Sequence, residues 1–88
     1  TTRVVYSRRA AAEAEEIEAF LAEHSAPSAE RFRQSLNRAE QQLGTFPDSD
    51  SSRTRRLIVG SYILSYRRRG QAVEIFAVRD ARRRNARF

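Results

Sequence analysis

Apolar and polar positions along this chain follow two rhythms, with the change falling at Arg55. Arg3-Val4-Val5-Tyr6 is a short β-prone run, and Ser7 behind it carries the hydroxyl a helix N-cap needs to accept a free first-turn amide. Over 8–24, Ala10, Ala14, Ile17, Leu21 and His24 recur at helical spacing with Phe20 beside them. Glu13, Glu15, Glu16, Glu18 and Glu23 occupy the remainder, which predicts an amphipathic helix with a solvated acidic face. Ser25-Ala26-Pro27-Ser28 stops that helix and starts another, because proline is tolerated in a first turn whose amides have no internal partner. Ala29, Phe32, Leu36, Ala39 and Leu43 continue the stripe to Gly44, a suitable C′ residue, and the two helices form an antiparallel hairpin. Phe46-Pro47 and the polar run Asp48 to Ser52 read as a surface loop.

From Arg55 the period is two. Leu57 and Val59 share a face, Gly60-Ser61 makes a tight turn, and Tyr62, Leu64 and Tyr66 alternate with Ile63 and Ser65. After an Arg68-Arg69-Gly70-Gln71 turn, Val73, Ile75 and Ala77 alternate with Glu74, Phe76 and Val78, and the segment from Arg79 to Phe88 is too charged for a core. The order β-α-α-β-β-β predicts one α+β domain over residues 1–88, with a helical hairpin packed on one face of a small antiparallel sheet. The other face, near the arginines, is left for binding.

Charge sharpens this picture. Residues 51–88 hold 11 Arg against Glu74 and Asp80, a balance of +9, while residues 1–50 hold 6 Arg against 9 acids, a balance of −3. A cationic surface concentrated in one half attracts an acidic partner, and salt weakens that attraction. All 17 basic residues are Arg, which favours flat bidentate capture of carboxylate or phosphate, although coding composition also contributes. The absence of cysteine excludes a disulfide framework and a thiolate nucleophile, and a lone histidine, His24, forms no metal site. No apolar run is long enough for a membrane span and no signal-peptide core precedes the first strand, so the expectation is a cytoplasmic protein with no cofactor, metal or membrane partner.

Several short patterns occur together and in order: Tyr6-Ser7-x-Arg9-Ala10, Ala29-Glu30-Arg31-Phe32 and Leu43-x-x-Phe46-Pro47, followed by Arg56-Leu57-x-x-Gly60-x-Tyr62-x-Leu64-x-Tyr66 and Val73-Glu74-Ile75-x-x-Val78. In this order and spacing the chain resembles the RelE/ParE superfamily of bacterial type II toxins from Val4 to about Arg83, more closely its ParE-like branch. The resemblance implies a cytoplasmic toxin, of the kind linked to plasmid stabilisation, encoded beside an antitoxin (ParD-like or other) that reaches operator DNA itself and wraps the toxin. For ParE-like members it implies inhibition of DNA gyrase. RelE-like members instead cleave messenger RNA within the ribosome, using cationic and acid–base side chains on the sheet. They carry an arginine where this chain has Ile63, and several carry a Tyr or His near the end, where this chain has Ala86, Arg87 and Phe88. Many ParE-like chains carry a His where Asp80 stands. RNA cleavage needs a base for the 2′-hydroxyl and an acid for the leaving oxygen, and arginines supply neither readily.

The expected function is therefore that of a ParE-like toxin which binds an essential protein and is neutralised by its antitoxin, with no catalytic residue assigned. A RelE-like ribonuclease and a non-toxic antitoxin-binding regulator are the alternatives. Arg55, Arg56, Arg79, Arg82 and Arg83 lie at strand ends around one sheet face and are the candidates for target or antitoxin binding, with Tyr62 and Tyr66 as packing or interface residues. His24 is assigned to the helix C-terminal dipole, and Asp80 to local ion pairing among the arginines.

Overall fold

The computed structural model describes residues 3–45 and 54–81. The expected loop over 46–52 and the candidates Arg82 and Arg83 lie outside the described residues. Six elements follow in order: β1 (Arg3–Tyr6), α1 (Arg8–His24), α2 (Ala26–Thr45), β2 (Arg55–Val59), β3 (Tyr62–Arg69) and β4 (Ala72–Asp80). The Ser7 hydroxyl accepts the Ala10 amide at 3.0 Å and starts α1 as the sequence predicts. Ser25 serves both helices: its amide donates to the Leu21 carbonyl at the end of α1, and its own carbonyl and hydroxyl accept the Ser28 amide at the start of α2. One residue thus satisfies orphan groups of two helix ends and keeps the hairpin connection short. Gly44 does not act as a left-handed cap, since α2 continues to Thr45 and, among the described residues, only Gly60 and Gly70 have positive φ.

The sheet has the order β1-β4-β3-β2. β2, β3 and β4 form the expected antiparallel meander, but β1 pairs with β4 in parallel, so the sheet is mixed. Periodicity fixes which face of β1 is apolar and carries no information about its direction relative to β4. The core lies between the helical hairpin and one sheet face. Ala10, Phe32, Ala39 and Leu43 meet Val59, Tyr62, Leu64, Val73, Ile75 and Val78 there. Phe32 and Tyr62 pack edge to face with centroids 4.7 Å apart, the geometry their ring quadrupoles favour.

One strand departs from strict alternation. Tyr66 pairs with Ile75 while Ser65 pairs with Ala77, so Phe76 is an extra residue in β4. This β-bulge moves Val78 onto the core face with Val73 and Ile75, where alternation alone would have put Ala77. The central strand therefore presents different residues to its two faces than the sequence period suggests.

Candidate functional site: the open face of the sheet

The helices cover one face of the sheet, and the register defines what the other presents. Ile58 pairs with Ile63, which pairs with Arg79; Arg56 pairs with Ser65, which pairs with Ala77. Nearer the Gly70 turn, Arg67 pairs with Glu74, which lies opposite Val5, and Arg69 pairs with Ala72, which lies opposite Arg3. Arginines thus border a centre made of small and aliphatic residues. Ile58 is 69 % exposed, the most exposed large apolar side chain among the described residues.

Glu74 organises one end of this surface. Its Oε1 lies 3.5 Å from Arg67 Nε and 3.3 Å from Arg69 Nη1, and Arg67 also sits over the Phe76 ring at 5.2 Å. Phe76, the extra residue of the bulge, gives the Arg67 guanidinium a cation–π partner as well as a carboxylate. Sequence reasoning had not singled out Arg67, Arg69, Phe76 or Ile58. Strict alternation would have found Arg67, Arg69, Ile58 and Phe76 as the odd partners of core residues; what only the bulge reveals is the exchange of Ala77 and Val78 between the faces.

The candidates read from the sequence divide between the two faces. Arg56 and Arg79 belong to the open face, with Arg56 exposed and Arg79 half-buried. Arg55, Tyr62 and Tyr66 lie in register with the core-facing row, and Tyr62 is buried against Phe32. Tyr66 is half-buried at the core margin. The sheet therefore keeps Tyr62 and Tyr66 on the opposite side from Arg56 and Arg79, so these four do not form one acid–base cluster. Among the described residues no group of three His, Asp or Glu side chains is placed to hold a metal ion.

Three polar residues outside this face, Tyr6, Glu13 and His24, have structural roles. Tyr6 donates to Glu40 Oε2 at 2.6 Å, tying β1 to α2. Burial, followed by the hydrogen bond and negative charge of Glu40, pushes the Tyr6 phenol well above the usual tyrosine range, which makes it a fixed donor rather than a proton shuttle. Glu13 is more than part of a solvated acidic face. Its Oε1 accepts the Val78 amide at 2.8 Å while Arg9 Nε reaches its Oε2 at 3.1 Å. β1 covers β4 only as far as Ile75, so the Val78 amide lies beyond the parallel ladder and a helix carboxylate takes the place of a strand. His24 Nδ1 lies 2.9 Å from the Phe20 carbonyl and its ring packs on Phe20, consistent with a helix-terminal role.

A helical hairpin on one side of a four-stranded sheet, with an arginine-bordered face on the other, defines a small α+β domain of order β-α-α-β-β-β. A family model described as the ParE toxin of the type II toxin–antitoxin system, parDE, matches residues 4–85, and the chain belongs to that family. Among solved structures it is similar to a chain of the chromosomal ParDE TA system from P. aeruginosa, with a TM-score of 0.73 and 17 % identity, covering 90 % of this chain and 95 % of that one. That likeness shows the same fold. No curated protein matches significantly. The protein is thus a ParE-type toxin of a toxin–antitoxin system, with a cognate antitoxin as its partner. Among the described residues no helix is long and apolar enough to cross a membrane.

Proposed function

We propose that this toxin acts by binding an essential bacterial protein, DNA gyrase by family expectation, and that its antitoxin neutralises it by occupying the same basic sheet. The observation that carries this reading is the composition of the open face: Arg56, Arg67, Arg69 and Arg79 around Ile58, Ile63, Ser65 and Ala77. An exposed Ile58 beside the half-buried Ile63, rimmed by arginine, suits a protein partner, where apolar burial supplies affinity and the charges supply steering and register. Cleavage of RNA would need groups that exchange protons near neutrality beside the bound phosphate. Arginine remains charged, and the single carboxylate in these rows, Glu74, is engaged by Arg67 and Arg69. Arg82 and Arg83, outside the described residues, stay in the proposed binding set on their charge alone; Arg55 and Tyr66 lie in the row on the other face, and Tyr62 supports the sheet from the core.

Induced expression in a bacterial host tests the reading. Growth should stop, resume when the neighbouring antitoxin gene is co-expressed, and leave messages on translating ribosomes uncut in a toeprint. Codon-positioned cuts would instead assign the RelE-like activity, and unhindered growth would leave only an antitoxin-binding regulator. The double variant Arg56→Glu, Arg79→Glu should fold yet lose most toxicity, because reversing exposed charges costs little stability but opposes an acidic partner.

A further inference from the structure

The end of the open face nearest the Gly70 turn holds an arginine that is fixed in place while its hydrogen-bond donors stay uncommitted. Arg69 Nη1 donates to both carboxylate oxygens of Glu74, at 3.3 and 3.4 Å, and so sets the orientation of that side chain. Glu74 in turn holds Arg67, whose Nε lies 3.5 Å from Oε1, too long for a good hydrogen bond but within reach of an ion pair. The Phe76 ring lies beneath the same guanidinium, 5.2 Å from it. Phe76 is available for this because, as the extra residue of the bulge, it has no partner in β3. The Glu74 side chain is 13 % exposed and that of Arg67 45 %, so the negative charge is sheltered and the positive one faces solvent. A carboxylate and a ring thus hold a flat guanidinium at one place on the sheet, and among the described residues it makes no hydrogen bond.

An unanchored arginine gives up rotamer freedom when it binds a partner. Arg67 has given much of it up already in the folded toxin, so an incoming carboxylate can form two parallel N–H···O bonds with little further ordering. Arginines ordered in this way are frequent hot spots of protein interfaces. A nucleic acid fits the place less well, because Arg67 covers the Phe76 face on which a base would stack and the Glu74 carboxylate repels a phosphate.

We infer that Arg67 anchors the toxin's protein target by taking one of its carboxylates in a bidentate pair, and that Glu74 and Phe76 are positioning residues that hold Arg67 for it. The inference rests on the target-binding reading above and adds to it the anchoring residue and the group it receives. Ile63 and Arg67 stand four residues apart on β3, so the target presents an apolar group against Ile58 and Ile63 and a carboxylate roughly 13 Å away.

The test turns on the sign of one effect. Glu74→Gln removes a negative charge from a basic face, so charge alone would make an acidic target bind more tightly; loss of positioning should instead weaken binding about tenfold. Titration of purified gyrase with labelled toxin measures the affinity, and circular dichroism confirms that each variant is folded. Phe76→Leu, which changes no charge, and Arg67→Lys, which keeps the charge and loses the planar fork, should each weaken binding by a similar factor. In an Arg67→Ala background Glu74→Gln should have no further effect, a non-additivity that a purely structural role for Glu74 does not produce. Arg68→Lys, in the core-facing row beside Val73, should bind as wild type does. Full or increased affinity of folded Glu74→Gln, or full affinity of Arg67→Lys, would overturn the inference while leaving the target reading standing. Binding of a short DNA duplex by the wild-type toxin alone, weakened by Arg67→Lys, would overturn it in favour of a phosphate. Failure of wild-type toxin to bind gyrase would remove the target reading and the inference with it.

Discussion

At the scale of single residues, two polar side chains hold elements together in ways the sequence pattern does not announce. Glu13 supplies the acceptor for a β4 amide that β1 does not reach. Glu13→Ala should lower the unfolding free energy by about 1–3 kcal/mol, since a buried donor loses its partner, and Glu13→Gln, which keeps an amide oxygen, should cost less; urea titration measures both. Tyr6 offers a pH readout of unusual clarity. The chain has no Lys and no Cys, and Arg stays charged, so between about pH 10 and 12 its tyrosines are the only side chains that titrate. The Tyr6 phenol is raised in the folded state, so its contribution is fully present below the ordinary tyrosine value and is lost as pH climbs above it, because the unfolded chain gives up that proton first. Wild type should therefore lose stability between pH 10 and 12 more steeply than Tyr6→Phe. Equal slopes would show that the Tyr6–Glu40 bond contributes nothing there.

At the scale of elements, the helices and turns were legible because their signals are local. Ser7, the Ser25-to-Ser28 break and the two glycine turns are each settled by a few neighbouring residues. Gly60 and Gly70 both have φ of 61°, which L-residues with a Cβ avoid. A Cβ at Gly60 would meet Ser35 Oγ at 3.7 Å, an ordinary contact, so Gly60→Ala should cost about 1 kcal/mol from backbone conformation alone. Gly60→Asn should cost less than Gly60→Val, and chemical denaturation would rank them. What the sequence hid depends on pairing at long range. The parallel β1–β4 ladder, the Phe76 bulge and the Glu13 cap all follow from where one strand ends against another, which no window of neighbouring residues contains. The same limit explains the candidate site. Arg56 and Arg79 were identifiable from their strand-end positions, whereas the exchange of Ala77 and Val78 between the faces follows only from the bulge.

At the scale of the whole molecule, the sheet divides two kinds of work. Its covered face holds the domain together through Phe32, Leu64 and Ile75, and Phe32→Ala should cost about 3–5 kcal/mol, enough to threaten so small a fold. Its open face holds Arg56, Arg67, Arg69 and Arg79, four of the 11 arginines of residues 51–88. An acidic antitoxin drawn to that face should bind far more tightly at low salt than at high salt, and should raise the melting temperature because it binds only the native state. Thermal unfolding with and without antitoxin at two salt concentrations would show both effects. Stabilisation indifferent to salt would remove the electrostatic part of this account.

The central claim is that the open face captures a protein target and is released from it by the antitoxin. The most direct measurement adds purified toxin to gyrase and relaxed plasmid DNA, follows supercoiling and trapped cleavage complexes, and then repeats the reaction with antitoxin. The account predicts loss of supercoiling with wild-type toxin, its return on adding antitoxin, and little inhibition by the folded Arg56→Glu, Arg79→Glu variant. Undiminished supercoiling at saturating wild-type toxin, with no trapped cleavage complex, would contradict it.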